Sequence, residues 1–175
     1  MKRTVTLSVC LLLFNACSAT QYSSISDQSA SQKPWFSFQA QLSIIESAHR
    51  WQVLLDWQAD SQSGSARLTH AATGRIIKLR WQGNDVQILD NQAMKPNWKY
   101  IKADALMKYG IVLPPHTIAA ILQQQIPKQL KPQGTGIWKG LIYGNSIRLR
   151  WQNNGHKLTM TDITHGRTAI LRILP

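Results

Sequence analysis

Between Phe36 and Ile44 every second residue is apolar: Phe36, Phe38, Ala40, Leu42 and Ile44 alternate with Ser37, Gln39, Gln41 and Ser43. A period of two predicts a strand with one buried face and one wet face. Trp51, Val53, Leu55 and Trp57 repeat the pattern, and Ala66 and Leu68 begin a shorter third copy. Ile77, Leu79 and Trp81 then run into a two-residue turn at Gly83-Asn84, followed by Val86 and Ile88. That turn sets Trp81 opposite Val86 and Leu79 opposite Ile88, so both apolar sets share a face.

The segment Ile77-Lys78-Leu79-Arg80-Trp81-Gln82 is echoed by Ile147-Arg148-Leu149-Arg150-Trp151-Gln152. The second copy turns at Asn154-Gly155, which pairs Trp151 with Leu158 and Leu149 with Met160. A further two-residue turn at His165-Gly166 predicts Met160 opposite Leu171 and Leu158 opposite Ile173. The last three strands then agree on one apolar face. The echo reads as two similar hairpins in one sheet rather than as a duplicated domain. Between the two halves the period changes. Residues 103–109 predict a helix stopped by Gly110. Pro115 suits the first position of a second helix, whose apolar stripe of Ile118, Ile121 and Leu122 ends before Pro127. The class is therefore mainly β (α+β): a curved antiparallel sheet with two short helices laid over it as a cover. So few helices leave part of the concave face unfilled, which is room for a greasy ligand.

The chain has 175 residues, enough for one ordinary domain. Apolar residues make up 43%, with seven Trp, a composition that buries a core. The net charge is +12, and Glu46 is the one glutamate, which speaks against a multi-carboxylate site. Lys2 and Arg3 precede an apolar run from Val5 to Phe14 and then Asn15, Ala16 and Cys17. This predicts a secretory signal peptide over residues 1–16, with an apolar run too short to span a membrane. Leu13-Phe14-Asn15-Ala16-Cys17 resembles a bacterial lipobox, which implies cleavage before Cys17 and acylation of its thiol. Cys10 would leave with the signal. Ser18 in the next position implies sorting to the outer membrane. Residues 17–34 then read as a lipidated start and a serine-rich tether, roughly 23 Å end to end as a random coil. A single domain follows over residues 35–175.

The expected cavity lining is Phe38, Trp51, Val53, Leu55, Trp57, Leu79, Trp81, Ile118, Leu122 and Trp151. Lys78, Arg80, Arg148 and Arg150 alternate onto the opposite strand face, where their charge attracts anionic groups. His49, His70, His116, His156 and His165 show no metal-binding spacing. Asp56, Asp60, Asp85, Asp90 and Asp162 read as turn and strand-end residues. No phosphate-binding glycine loop occurs. The expectation is no catalytic residue, no metal and no cofactor. Single-stranded nucleic acid, which Trp- and Arg-bearing strands can stack against, is disfavoured by the envelope address. A porin-like barrel is excluded by the lipid anchor.

The order of these features, from the lipobox and polar tether through Phe36–Ile44 and Leu68-Thr69 to the helix–Pro–helix insert, resembles the LolB family of outer-membrane lipoprotein receptors. The resemblance implies an incomplete antiparallel β-barrel of the LolA/LolB kind with helices over an apolar cavity. It implies a protein anchored in the outer membrane of a Gram-negative bacterium, facing the periplasm and acting as a monomer. Its partners would be a LolA-like periplasmic carrier, acylated lipoproteins and outer-membrane lipid. The family's membrane-facing loop falls on Ala71, Ala72 and Thr73, and Ala72 stands where the family carries an exposed leucine. A buried leucine is worth roughly 1.5–3 kcal/mol, so this departure leaves acceptance of cargo in place and weakens insertion by this loop. The alternative is a lipid-anchored envelope module that binds lipid or has a structural role without transferring anything.

Overall fold

The computed structural model describes residues 36–47, 49–60, 62–102, 105–106, 111–152 and 155–175, all in the unit Lys33–Pro175. The signal segment, Cys10, Cys17 and the tether lie outside the described residues. So does most of the helix expected over 103–109, of which Ala105 and Leu106 form a piece of 3₁₀ turn.

Eleven strands form one antiparallel sheet in the order β6-β5-β4-β3-β2-β1-β11-β10-β9-β8-β7. In chain order β1 is Phe36–Glu46, β2 His49–Ala59, β3 Ser63–His70, β4 Arg75–Gln82, β5 Asp85–Asp90 and β6 Lys99–Lys102. After helix α1 (Pro115–Leu122) come β7 Leu130–Gly134, β8 Ile137–Ile142, β9 Asn145–Gln152, β10 Lys157–Asp162 and β11 Arg167–Ile173. The chain walks outward from β1 to one edge, passes through α1 to the other edge, and returns from there to pair β11 with β1. The barrel is incomplete because the sheet ends at β6 and β7. The echoed segments are β4 and β9, each third from its own edge, so the repeat is two similar hairpins of one sheet. The short strands β6, β7 and β8 carry too little alternation for periodicity to reveal them.

Alternation places the core. In β2, Val53, Leu55, Trp57 and Ala59 are buried while Gln52, Leu54, Asp56 and Gln58 are exposed. Leu54 is thus an apolar residue on the wet face. The β4–β5 register is as predicted, with Trp81 opposite Val86 and Leu79 opposite Ile88. So is β9–β10, with Trp151 opposite Leu158 and Leu149 opposite Met160. Pro115 opens α1, as expected of a residue with a fixed φ and no N–H to leave unpaired.

The third strand is built small so that its neighbours can be large. Gly64 pairs with Ala59 on one side and Trp81 on the other, and Ala66 pairs with Trp57 and Leu79. Over this low strip the Trp57 and Trp81 rings meet at 4.8 Å between centroids, tilted by 45°. Phe38 extends the series, stacked 6.0 Å from Trp57, and Phe36 lies 6.1 Å beyond Phe38. A Cβ at Gly64 would come within 2.3 Å of the Trp81 ring and 2.6 Å of the Gln58 carbonyl oxygen. Only glycine fits there.

One register differs from expectation. In the last hairpin Leu158 lies opposite Leu171 and Met160 opposite Ala169, two residues from the predicted pairing. The turn has four residues, 163–166, instead of two at His165-Gly166. Asp162 explains it. Its side chain is 1% exposed, its Oδ1 accepts the His165 N–H at 3.2 Å, and its Oδ2 lies 2.7 Å from His165 Nδ1. A carboxylate that closes the turn by itself needs no Asn-Gly type geometry. A shift of two keeps every side chain on its face, so the apolar surface survives the change. Asp162→Ala should lower stability by about 1–3 kcal/mol, because it strands polar groups of the turn. Denaturant unfolding checks this, with Asp162→Asn expected to lose less.

Candidate functional site

The inner face of the sheet encloses a cavity of about 410 Å³. Leu42 and Ile44 of β1, and Trp51, Leu55 and Trp57 of β2, form its floor. Ala66 and Leu68 of β3, Ile77 and Leu79 of β4, and Ile88 of β5 make one wall. Met160, Ala169 and Leu171 of β10 and β11 make the other. Ile111, Val112, Pro115 and Ile118 lie over it. Arg75 and Asp90 are the charged residues of the lining.

Five expected lining residues reach this cavity: Trp51, Leu55, Trp57, Leu79 and Ile118. Val53 faces an adjoining recess. Phe38 faces a shallow groove with Ser37, Gln39 and Asp56. Trp81, Trp151 and Leu122 lie outside the lining. Trp81 is spent on the aromatic series over Gly64, and Trp151, whose backbone N–H donates to the Gly136 carbonyl at 2.8 Å, is partly buried against the core. Leu122 ends α1 and packs on the core. Among apolar strand residues, sequence reasoning missed Leu42, Ile44, Ala66, Leu68, Ile77, Ile88, Met160, Ala169 and Leu171 as lining. All but Ala169 belong to the apolar faces that the alternation predicts. The available signal was that faces joined by β1–β11 pairing must converge.

A recess of about 420 Å³ adjoins the cavity and shares Trp51, Leu68, Arg75 and Ile77 with it. His70, Thr73 and Gln92 complete its rim together with Val53. Arg75 therefore stands where the apolar cavity gives way to a polar mouth. Its Nε donates to Asp90 at 3.3 Å (Oδ1) and 3.2 Å (Oδ2), and its Nη2 also donates to Oδ2. The Arg75 hydrogen bonds hold the Asp90 carboxyl below the usual carboxylate range. The turn beside it, residues 71–74, carries Ala71, Ala72 and Thr73, all exposed, between the third and fourth strands as expected. It is fastened rather than free. The Thr73 hydroxyl lies 3.0 Å from His70 Nδ1, Gln92 Nε2 donates to the Thr73 carbonyl, and Asn91 Nδ2 donates to the Gly74 carbonyl.

On another side, His116 of α1 borders a separate polar hollow with Gln62, Asn84, Gln129 and Tyr143. Burial alone pushes the His116 imidazole below its ordinary value. Of the basic residues expected on the outer face, Lys78, Arg80, Arg148 and Arg150 are all exposed. Arg80 lies 4.3 Å over the Trp98 ring. Among the described residues no group of three or more His, Cys, Asp or Glu is placed to hold a metal ion. No helix among them is long and apolar enough to cross a membrane.

Among solved structures the chain is similar to a LolA superfamily protein from Nitrosomonas europaea, at 10% identity and a TM-score of 0.41, over 82% of this chain and 86% of that one. No family profile matches the chain, and no curated protein matches it.

Because Asp90 has a lowered pKa when folded, its pairing stabilises the protein above the ordinary carboxylate pKa and loses that effect as pH falls through the lowered value. Asp90→Asn should therefore be less stable than the parent at pH 7, and the gap should narrow progressively as pH falls below the ordinary Asp value of about 4. Parallel urea titrations at pH 7 and in acid check it.

Proposed function

We propose that this protein is a lipid-anchored receptor of the outer membrane that accepts acylated lipoproteins from a LolA-like periplasmic carrier and passes them into the membrane. The observation that carries the reading is the apolar cavity between the sheet and the segment running into α1. The lipobox at Cys17 and the tether behind it supply the envelope address. Nothing in the reading requires catalysis. Each methylene moved from water into such a cavity gains about 0.8 kcal/mol, so cargo transfer can run downhill from carrier to receptor to bilayer without nucleotide.

The volume refines this. A water molecule takes about 30 Å³ of the liquid, and a methylene is similar in size, so 410 Å³ holds on the order of a dozen methylenes. That is one chain in the cavity itself, before the adjoining recess of about 420 Å³ is counted. The second reading is an anchored lipid-binding module without transfer. The two readings part in a direct assay: the receptor strips lipoprotein from its purified carrier, and the module does not. Delivery of lipoproteins to the outer membrane that continues normally after depletion of the protein would rule out the receptor.

Both readings predict binding of a fluorescent acyl probe. Ile118→Trp, which fills the cavity from the lid side, should weaken probe affinity about tenfold while the melting temperature stays within a few degrees. Titration of probe fluorescence alongside thermal unfolding checks this. At the loop, Ala72→Leu should increase flotation of the protein with phospholipid vesicles if residues 71–73 face the bilayer. Unchanged flotation would remove the loop from that role.

A further inference from the structure

The cavity is apolar except at one point, and that point lies at its mouth. Arg75 lines both the cavity and the outer recess, and its side chain is about half exposed. A guanidinium has five N–H donors. Asp90 takes the Nε–H and one N–H of Nη2, and among the described residues no other partner is seen for the Arg75 side chain. The remaining N–H groups stay available on the edge of the fork away from Asp90. The His70–Thr73 pair and Gln92, which line the same recess, add polar groups around the spot. An apolar chamber for about a dozen methylenes, ending at one accessible arginine, has the form of a site for a chain with a charged end.

We propose that the cavity takes a single-chain lipid with an anionic oxygen head, the chain lying over Trp51, Leu55 and Ile118 and the head received by Arg75 at the recess. This goes beyond the receptor reading and rests on it only in that both need an acyl chain in the cavity. An oxyanion is the head that matches a planar donor fork. A neutral head would leave the fork's outer donors to water. The facing charge of Asp90 tempers the attraction and makes Asp90 the residue that sets its strength.

The test uses the full chain and two probes that differ only at the head, cis-parinaric acid and its methyl ester, followed by fluorescence. The acid should bind about tenfold tighter than the ester. Arg75→Gln should erase that preference, so that within this variant acid and ester bind with equal affinity. Asp90→Asn, which removes the facing charge and one of the two acceptor oxygens, should widen the preference, an effect that a purely structural role for the pair would not produce. If Arg75→Gln fails to fold, Asp90→Asn still decides, because a preference that narrows in it overturns the proposal. Competition against bound probe by myristic acid and by lysophosphatidylglycerol then tells a carboxylate source from a phosphate one, and displacement by neither overturns the proposal. Equal affinity for acid and ester would refute the anionic anchor alone. Binding of neither would refute the acyl-chain cavity itself.

Discussion

The structure depends on a mismatch between the apolar face of a long curved sheet and the little that covers it among the described residues. The strands of one sheet turn most of their buried apolar residues to a shared inner face, and α1 supplies eight residues to meet them. A sheet face of that size must bury itself against something. Here it does so partly by curling, so that β1 to β5 face β10 and β11 across a shared interior. The volume left over is the cavity. It is a residue of geometry before it is a binding site, bordered on the helix side by Ile111, Val112, Pro115 and Ile118.

The tryptophans divide between filling that interior and shaping it. Trp57 and Trp81 lean together across β3 because Gly64 and Ala66 leave space there. The indole N–H groups of both are buried and, among the described residues, have no hydrogen-bond partner. An unpaired buried donor costs roughly 1–3 kcal/mol. Large aromatic burial, together with the ring contacts from Phe38 to Trp81, offsets it. The outcome is a stiff floor at one side of the cavity and a softer aliphatic wall at the other, where Met160, Ala169 and Leu171 stand.

Much of this was legible in the chain. The alternation from Phe36 to Ile44 and from Trp51 to Trp57, the Gly83-Asn84 turn and the Pro115 helix start each describe the local structure found. Local chemistry decided them, and the local sequence states it. What failed was non-local or hidden in a side chain. The length of the last turn was set by a buried Asp162 that reads in sequence as an ordinary turn residue. Trp81 and Trp151 sit on the correct face but are consumed by packing, and a period of two cannot tell a wall from a filling. Arg75 and Asp90 were separated by fifteen positions, and only the β4–β5 pairing placed their side chains together at the mouth.

The two free margins of the sheet bear on the size of what the interior can hold. Because β6 and β7 are not hydrogen-bonded to each other, drawing them apart breaks no ladder. Expansion is resisted by apolar contact beneath the helix, which yields gradually, whereas a sealed cylinder would have to rupture a row of backbone bonds at once. Such a body behaves like a split ring: its bore is an elastic variable, and a bulkier occupant is accommodated by strain spread over many weak contacts.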